Sequence, residues 1–336
     1  DYLQRACGDS KEGPSVTWMP YFHDYGLVEG LMQPLYNGAP CYIMAPLSFV
    51  KRPLRWLQAI QKYGATHSQA PNFAYELCLR RIKPAKREGL DLSSWVSAGN
   101  AAEPINPRVL REFADAFGEY GFKWENFSPA YGLAEATLLV SSTPIGQGPS
   151  ILQLEAGELL RGHIVLATDD SSYVREAVSC GPLVCETNVA IVNPDTLTRC
   201  GDNTVGEVWV RDPGVAHGYW QRPDATKETF EAQISDEGSE RYLRTGDLGF
   251  IRECELYITG RIKDLIIIRG TNHYPQDIEW TVQQISDAMR PDYGACFSII
   301  EEGEERLVVV QEIERSQQKS LESAANADEL MADIRQ

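Results

Sequence analysis

Apolar residues fall at helical spacing between positions 51 and 63, where Leu54, Leu57 and Ile60 share one face. Pro71-Asn72 then opens a second helix that runs to about Arg81. Ser93–Ala98 reads as a short buried strand and Lys123–Phe127 as the next one. Between them, Asn106 stands at an N-cap and Pro107 at the first helical position, a strong helix start. Leu110, Phe113, Ala114 and Phe117 give that helix its apolar stripe. Strands alternating with helices predict an α/β subdomain with a parallel, doubly wound sheet over residues 1–145.

The texture changes near residue 145. Short β-rich runs recur at His163–Ala167, Asn188–Val192, Glu207–Arg211, Leu248–Ile251 and Glu255–Thr259, separated by Gly, Pro and Asp. They predict a small distorted β-barrel or sheet over 146–260. A strand at Asp264–Ile268, a helix at Pro275–Ile285, strands at Ala295–Ile300 and Arg306–Ile313 and a helix at Ala325–Ile334 predict a partial small α+β domain over 261–336. The boundary is expected at Gly260-Arg261-Ile262-Lys263-Asp264. There is no internal repeat.

Composition narrows the function classes. The 336 residues carry a formal net charge of −17, and all of that excess lies in residues 151–336. An acidic chain with no basic stripe excludes a nucleic-acid partner, because phosphate contacts supply most of that affinity. No apolar run approaches the roughly 18 residues of a membrane helix. The eight cysteines are scattered without a Cys-x-x-Cys pair, which points to reduced thiols and a cytoplasmic protein. The chain starts at Asp1, not Met, and is expected to begin inside a longer protein.

Four stretches carry candidate chemistry. Met19–Leu27 sets aromatics around His23-Asp24 and could line a pocket or hold a structural histidine. Asn126–Thr137 lies at the carboxyl end of an expected strand, where open α/β sheets bind ligands. There Tyr131 can lie flat on a base, Gly132 admits close backbone, and Glu135 offers a hard oxygen ligand suited to Mg²⁺. Glu135 could equally be an acid near a helix N-terminus. Asp247, in Tyr242–Gly249, is either a turn residue or a carboxylate that accepts hydrogen bonds from a ribose diol. Residues 260–270 read as a strand with charged ends or as a hinge whose Arg and Lys face a nucleotide.

In this order and spacing, Tyr131-Gly132-Leu133-Ala134-Glu135, Thr245-Gly246-Asp247 and Gly260-Arg261-Ile262-Lys263-Asp264 resemble the motifs of the adenylate-forming superfamily. That superfamily holds acyl-CoA synthetases, peptide-synthetase adenylation domains and luciferases. The resemblance is closest to the fatty acyl-AMP ligases, through Arg52–Leu57, Pro71–Cys78, Tyr131–Thr137 and Asn272–Glu279, and it covers about Val16 to Ile313.

The resemblance implies roles. Gly99, Asn100, Ala101, Ala102, Glu103 and Pro104 would form the loop that holds adenine. Tyr131 would stack on the base, flanked by Gly132, Leu133 and Ala134, and Glu135 would ligate Mg²⁺. Asp247 would bind the ribose with Arg261 beside it, and Lys263 would be the hinge of the small domain. His23 would sit between the nucleotide and the acyl pocket, with parts of 51–81 and 97–100 lining a fatty-acyl tunnel. The implied reaction is ATP-dependent, Mg²⁺-assisted activation of a fatty acid, with transfer to the phosphopantetheine thiol of an acyl carrier protein. An insertion that restrains domain motion is expected within Thr143–Ser172. The family's phosphate-binding loop would precede residue 1 and its catalytic lysine would lie beyond the end. Lys319 carries no such motif. A long-chain acyl-CoA synthetase and a non-catalytic adenylate-binding scaffold are the rival readings.

Overall fold

A computed structural model of the chain describes residues 13–184, 187–268, 271–301, 304–318 and 324–335. Arg269, Gly270 and Lys319 lie outside the described residues. The chain divides into two compact units. One runs to Leu159 and resumes over His163–Thr259; the other comprises Leu160–Gly162 and the chain from Gly260 onward.

The first unit contains a six-stranded α/β sheet. Its strands are β1 (Ser15–Thr17), β2 (Cys41–Ile43), β3 (His67–Ala70), β4 (Ser97–Asn100), β5 (Phe127–Leu133) and β6 (Leu138–Ser142), in the order β2-β1-β3-β4-β5-β6. All neighbours are parallel except β5 and β6. The order reverses between β1 and β3, a topological switch point. A π-helical segment, α1 (Tyr25–Met32), leads into α2 (Gln33–Asn37).

The helix expected over 51–63 is α4 (Leu54–Tyr63), and Lys51 ends a separate helix, α3 (Pro46–Lys51). Pro53 pushes Arg52 out of the helical region, to φ −152° and ψ 80°. Helix α5 (Asn72–Arg81) runs as its Pro-Asn start predicts. In α6 (Pro107–Gly118) the Asn106 side chain accepts the Arg108 N–H, and Val109, Leu110, Phe113 and Phe117 are buried. Two strands start later than expected. Asp91 captures the Ser93 N–H in a turn, so β4 begins at Ser97. A 3₁₀ turn over Trp124–Asn126 likewise holds β5 back to Phe127.

Behind this sheet the core is aromatic. Trp95 packs edge-on to Trp56 and Phe122 at 5.1 Å, and Phe113 meets Tyr75 at 5.1 Å and Phe127 at 6.0 Å. Two of the indole N–H groups are satisfied: Trp56 donates to Ser68 Oγ and Trp95 to Ser97 O.

The β-rich region is a second six-stranded sheet, in the same unit up to Thr259. Its strands are β7 (Ile151–Glu155), β8 (Val174–Pro182), β9 (Asn188–Val192), β10 (Gly206–Arg211), β11 (Leu243–Arg252) and β12 (Glu255–Arg261), in the order β7-β8-β12-β11-β10-β9. Val189, Ile191, Val208, Val210, Leu243 and Leu256 form its core. His163–Ala167, expected as a strand, supplies only isolated bridges, at His163 with Thr204 and Leu166 with Leu154.

The second unit holds two hairpins, β13 (Ile266–Ile268) with β14 (Thr271–His273) and β15 (Met289–Glu301) with β16 (Glu304–Ile313). Helices span Pro275–Gln284 and Ala324–Arg335. A 3₁₀ turn at Ile262–Asp264 takes Asp264, and the strand expected at Asp264–Ile268 begins at Ile266. Leu160 O accepts the Asn272 N–H at 3.3 Å. Among the described residues, no helix is long and apolar enough to cross a membrane.

Candidate functional site

Tyr131 near the end of β5 and Asp247 in β11 meet although they come from different sheets. The Tyr131 hydroxyl donates to Asp247 Oδ2 at 2.6 Å, and both residues are buried. Burial and the neighbouring carboxylate push the Tyr131 phenol well above its ordinary pKa, so it stays a proton donor. The loop from Gly99 starts next door, because Gly99 and Asn100 pair in register with Ser128 and Pro129 of β5. Gly132 sits where a Cβ would lie 2.0 Å from Leu138 O, so only glycine fits.

The bulged turn within β11 that carries Asp247 is held by buried and half-buried polar groups. The Asp247 N–H bonds Thr245 Oγ1 at 3.0 Å, and the Thr245 hydroxyl donates to Val208 O at 2.7 Å. Gly246 takes φ +71°, and its N–H bonds Glu207 Oε1. Glu207 is almost fully buried and accepts Arg244 Nη2 at 2.7 Å. Sequence reading missed Glu207, which looks like an ordinary strand position.

Glu135 lies in the 3₁₀ turn Ala134–Ala136, half-buried, with Leu133 half-buried and Ala134 exposed beside it. Its Oε1 accepts the Tyr219 hydroxyl at 2.7 Å, while Oε2 makes no hydrogen bond to a described residue. Tyr219, 84 residues away, was not legible as a site residue. Burial and the bond to Glu135 raise its phenol to about 12. The chain after Glu135 is strained, with Thr137 at φ +48° and Leu138 at φ +125°. The Thr137 hydroxyl donates to Gly214 O at 2.6 Å.

In the Gly99–Pro104 loop, Gly99 O accepts the Tyr75 hydroxyl at 2.7 Å and a Glu103 carboxylate oxygen accepts the Phe73 N–H. Ala101 is buried, and Ala102 is exposed at φ +72°, a left-handed conformation costly for a residue with a Cβ. Asn100 is fully buried, yet neither atom of its amide has a partner among the described residues. Such an orphaned group costs on the order of 1–3 kcal/mol, which marks the loop as built for more than stability.

His23 lies in the first unit, just before α1. The His23 ring is 47% exposed, with Nδ1 2.6 Å from Asp24 Oδ1. Tyr21 and Phe22 are also exposed, so of the aromatics flanking His23-Asp24 it is Tyr25 that turns inward. Asp24 caps α1 by accepting the Tyr25 N–H. Arg261 ends β12, and Lys263 is exposed in the turn that follows; both belong to the second unit.

Comparison with known proteins identifies the family. The family model for AMP-binding enzymes matches residues 4–220. The chain is 50% identical over 337 residues to the medium-chain-fatty-acid acyl-carrier-protein ligase JamA of Moorena producens, covering all of this chain and 56% of that protein. It is 40% identical to the medium-chain-fatty-acid acyl-carrier-protein ligase TtuA of Teredinibacter turnerae, covering 99% of this chain and 53% of that one. The crystal structure of a fatty acyl-adenylate ligase from L. pneumophila, in complex with acyl adenylate and pyrophosphate, superimposes with a TM-score of 0.77 at 44% identity, covering 99% of this chain and 57% of that one. The chain thus spans about half the length of the curated relatives it matches. The chain belongs to the AMP-binding enzyme family.

Proposed function

We propose that the protein carrying this chain activates a medium-chain fatty acid with ATP and passes the acyl group to an acyl carrier protein. The observation that carries the reading is the Tyr131–Asp247 pair beside the Gly99–Glu103 loop, a flat ring and a carboxylate at one end of the α/β sheet. The names of JamA and TtuA supply the substrate class and the acceptor.

In this reading the Tyr131 ring stacks on adenine and the Gly99–Glu103 loop borders the base. Asp247 accepts hydrogen bonds from the ribose hydroxyls. A fatty carboxylate oxygen attacks the α-phosphorus, the bond to the leaving pyrophosphate breaks, and an acyl-adenylate anhydride forms. The thiol of the carrier's phosphopantetheine arm then attacks the acyl carbon and AMP leaves. The protein's contribution is placement and electrostatic stabilisation.

Among the described residues, no group of three or more His, Cys, Asp and Glu side chains could hold a metal alone. Glu135 still fits Mg²⁺, because that ion is commonly held by one or two carboxylates together with substrate phosphates. Tyr219 occupies one carboxylate oxygen and leaves the other for such a role. A bound Mg²⁺ would offset charge on the phosphates.

Lys263 is assigned to the hinge, since the chain passes from one compact unit to the other between Thr259 and Gly260, and Arg261 to the nucleotide. His23 is assigned to the mouth of the acyl pocket, next to the inward-facing Tyr25. Thr143–Ser172 is assigned as the insertion that restrains the swing, and its Leu160–Gly162 segment groups with the second unit. The unpaired cysteines support a cytoplasmic setting.

The test is to incubate the full-length protein with ATP, Mg²⁺ and medium-chain fatty acids and to detect acyl-adenylate by mass spectrometry. Acid-dependent acyl-adenylate is expected. Nucleotide binding without any adenylate product would favour the scaffold reading.

A further inference from the structure

The helical stretch α1–α2 turns a polar stripe inward. Glu29, Gln33 and Asn37 recur every four residues and wall one cavity together with Ser15, His67 and Gln69 of the α/β sheet. Met32, Leu35 and Tyr36 of the same stretch are exposed instead. On the sheet side, Ser15 of β1 pairs with His67 of β3, and Gln69 lies two residues further on, so all three share one face. Polar groups buried in this way cost free energy unless they find partners.

Three of these oxygens have none. Ser15 Oγ, Gln33 Oε1 and Asn37 Oδ1 are buried without a partner among the described residues, and Ser15 is only 7% exposed. Glu29 is buried as well, and Gln69 hydrogen-bonds its carboxylate. No lysine or arginine is among the described residues that wall the cavity. Its volume is about 20 Å³, room for one water-sized sphere.

A carboxylate and neutral oxygens around one small space, with no cationic side chain among them, suit a hard cation. A single carboxylate offers little charge for a divalent ion, and Mg²⁺ would bring several waters that the space does not admit. We propose that Ser15, Glu29, Gln33 and Asn37 hold a monovalent metal cation of the Na⁺ or K⁺ class, which ties α1–α2 to the sheet. Ser15 and His67 open β1 and β3, whereas Tyr131 lies near the end of β5, so this cation stands apart from the nucleotide site.

The cation competes with a proton for Glu29, whose carboxyl burial raises to about 8. Its stabilising effect therefore grows with pH, and the loss of stability on ionisation of Glu29 is largest without it. The other titratable groups facing Glu29 are Tyr25 of α1, His67 of β3 and the Tyr75 phenol of α5.

The experiment is urea unfolding of the full-length protein at pH 8 in choline chloride, with choline replaced stepwise by Na⁺ or K⁺ at constant ionic strength. Choline is too large for the cavity. One of the two metal ions raises the unfolding midpoint along a saturating curve, and the folding equilibrium gains about tenfold once the ion reaches ten times its Kd. At pH 5.5, where the proton holds the carboxyl, the gain shrinks. Glu29→Gln keeps the volume and abolishes the gain. Ser15→Ala reduces it and serves as the test if Glu29→Gln does not fold. Equal midpoints in all three chlorides, or a gain that persists undiminished in a folded Glu29→Gln or Ser15→Ala protein, overturn the proposal and leave water alone in the cavity. The readout is stability, so it stands or falls independently of the acyl-adenylation reading.

Discussion

The Tyr131 hydroxyl donates a 2.6 Å hydrogen bond to Asp247 Oδ2, so the residue assigned to adenine and the residue assigned to ribose form one hydrogen-bonded pair across two sheets. Tyr131→Phe keeps the stacking face and deletes only this bond. It should lower unfolding free energy by about 1–3 kcal/mol, because a buried carboxylate loses a donor. Calorimetry should find ATP affinity weakened less than in Tyr131→Ala, which also loses the ring. Equal losses in the two variants would place the ring away from the base.

Glu207 should support ATP binding without touching ATP. It holds Arg244 and the Gly246 N–H, and these fix the turn that carries Asp247. Glu207→Ala should cost about 1–3 kcal/mol of stability and weaken ATP binding together. Chemical denaturation and calorimetry measure the two effects. Lost stability with unchanged affinity would separate the turn from the nucleotide.

Tyr219→Phe removes the hydrogen bond that orients Glu135. Partners of this kind behind a metal ligand are worth roughly 10–100-fold in metal affinity or activity. The Mg²⁺ concentration for half-maximal pyrophosphate release should therefore rise, with ATP affinity in the absence of Mg²⁺ little changed. An unaltered Mg²⁺ dependence would argue against Glu135 as the ligand.

Glu29 should make the fold less stable as pH rises. Its carboxyl is raised from 4.5 to about 8 in the folded chain, chiefly by burial. Between those values the folded state holds a proton that the unfolded state has released. Stability is thus fully present below about 4.5 and is lost as pH climbs toward 8, at up to about 1.4 kcal/mol per pH unit. The groups facing it are the Gln69 amide, the Tyr75 phenol and His67, and all three persist in Glu29→Gln. Urea unfolding from pH 5.5 to 8 should show the parent losing stability relative to that variant, and parallel curves would contradict the shift.

Local signals were legible in the sequence wherever neighbouring residues decide the structure. The Asn106-Pro107 helix start and the Asn72–Arg81 helix stand as read. The strands at Ser97 and Phe127 begin later than the sequence suggests because short turns at Ser93 and Trp124–Asn126 stand just before them. The motif residues Tyr131, Glu135 and Asp247 could be named, but their partners could not. Tyr219 lies 84 residues from Glu135, and Glu207 lies 37 from Arg244. Only the packing of strands and turns brings such pairs together.

The most direct test of the account is a labelled medium-chain fatty acid given to the full-length protein with ATP and Mg²⁺, with holo acyl carrier protein in one reaction and free coenzyme A in another. Both acceptors offer the same thiol, so selection must come from a docking surface. The account predicts acyl-adenylate in both reactions and label transferred to the carrier protein alone. Efficient acyl-CoA formation would contradict it and make the protein an acyl-CoA synthetase.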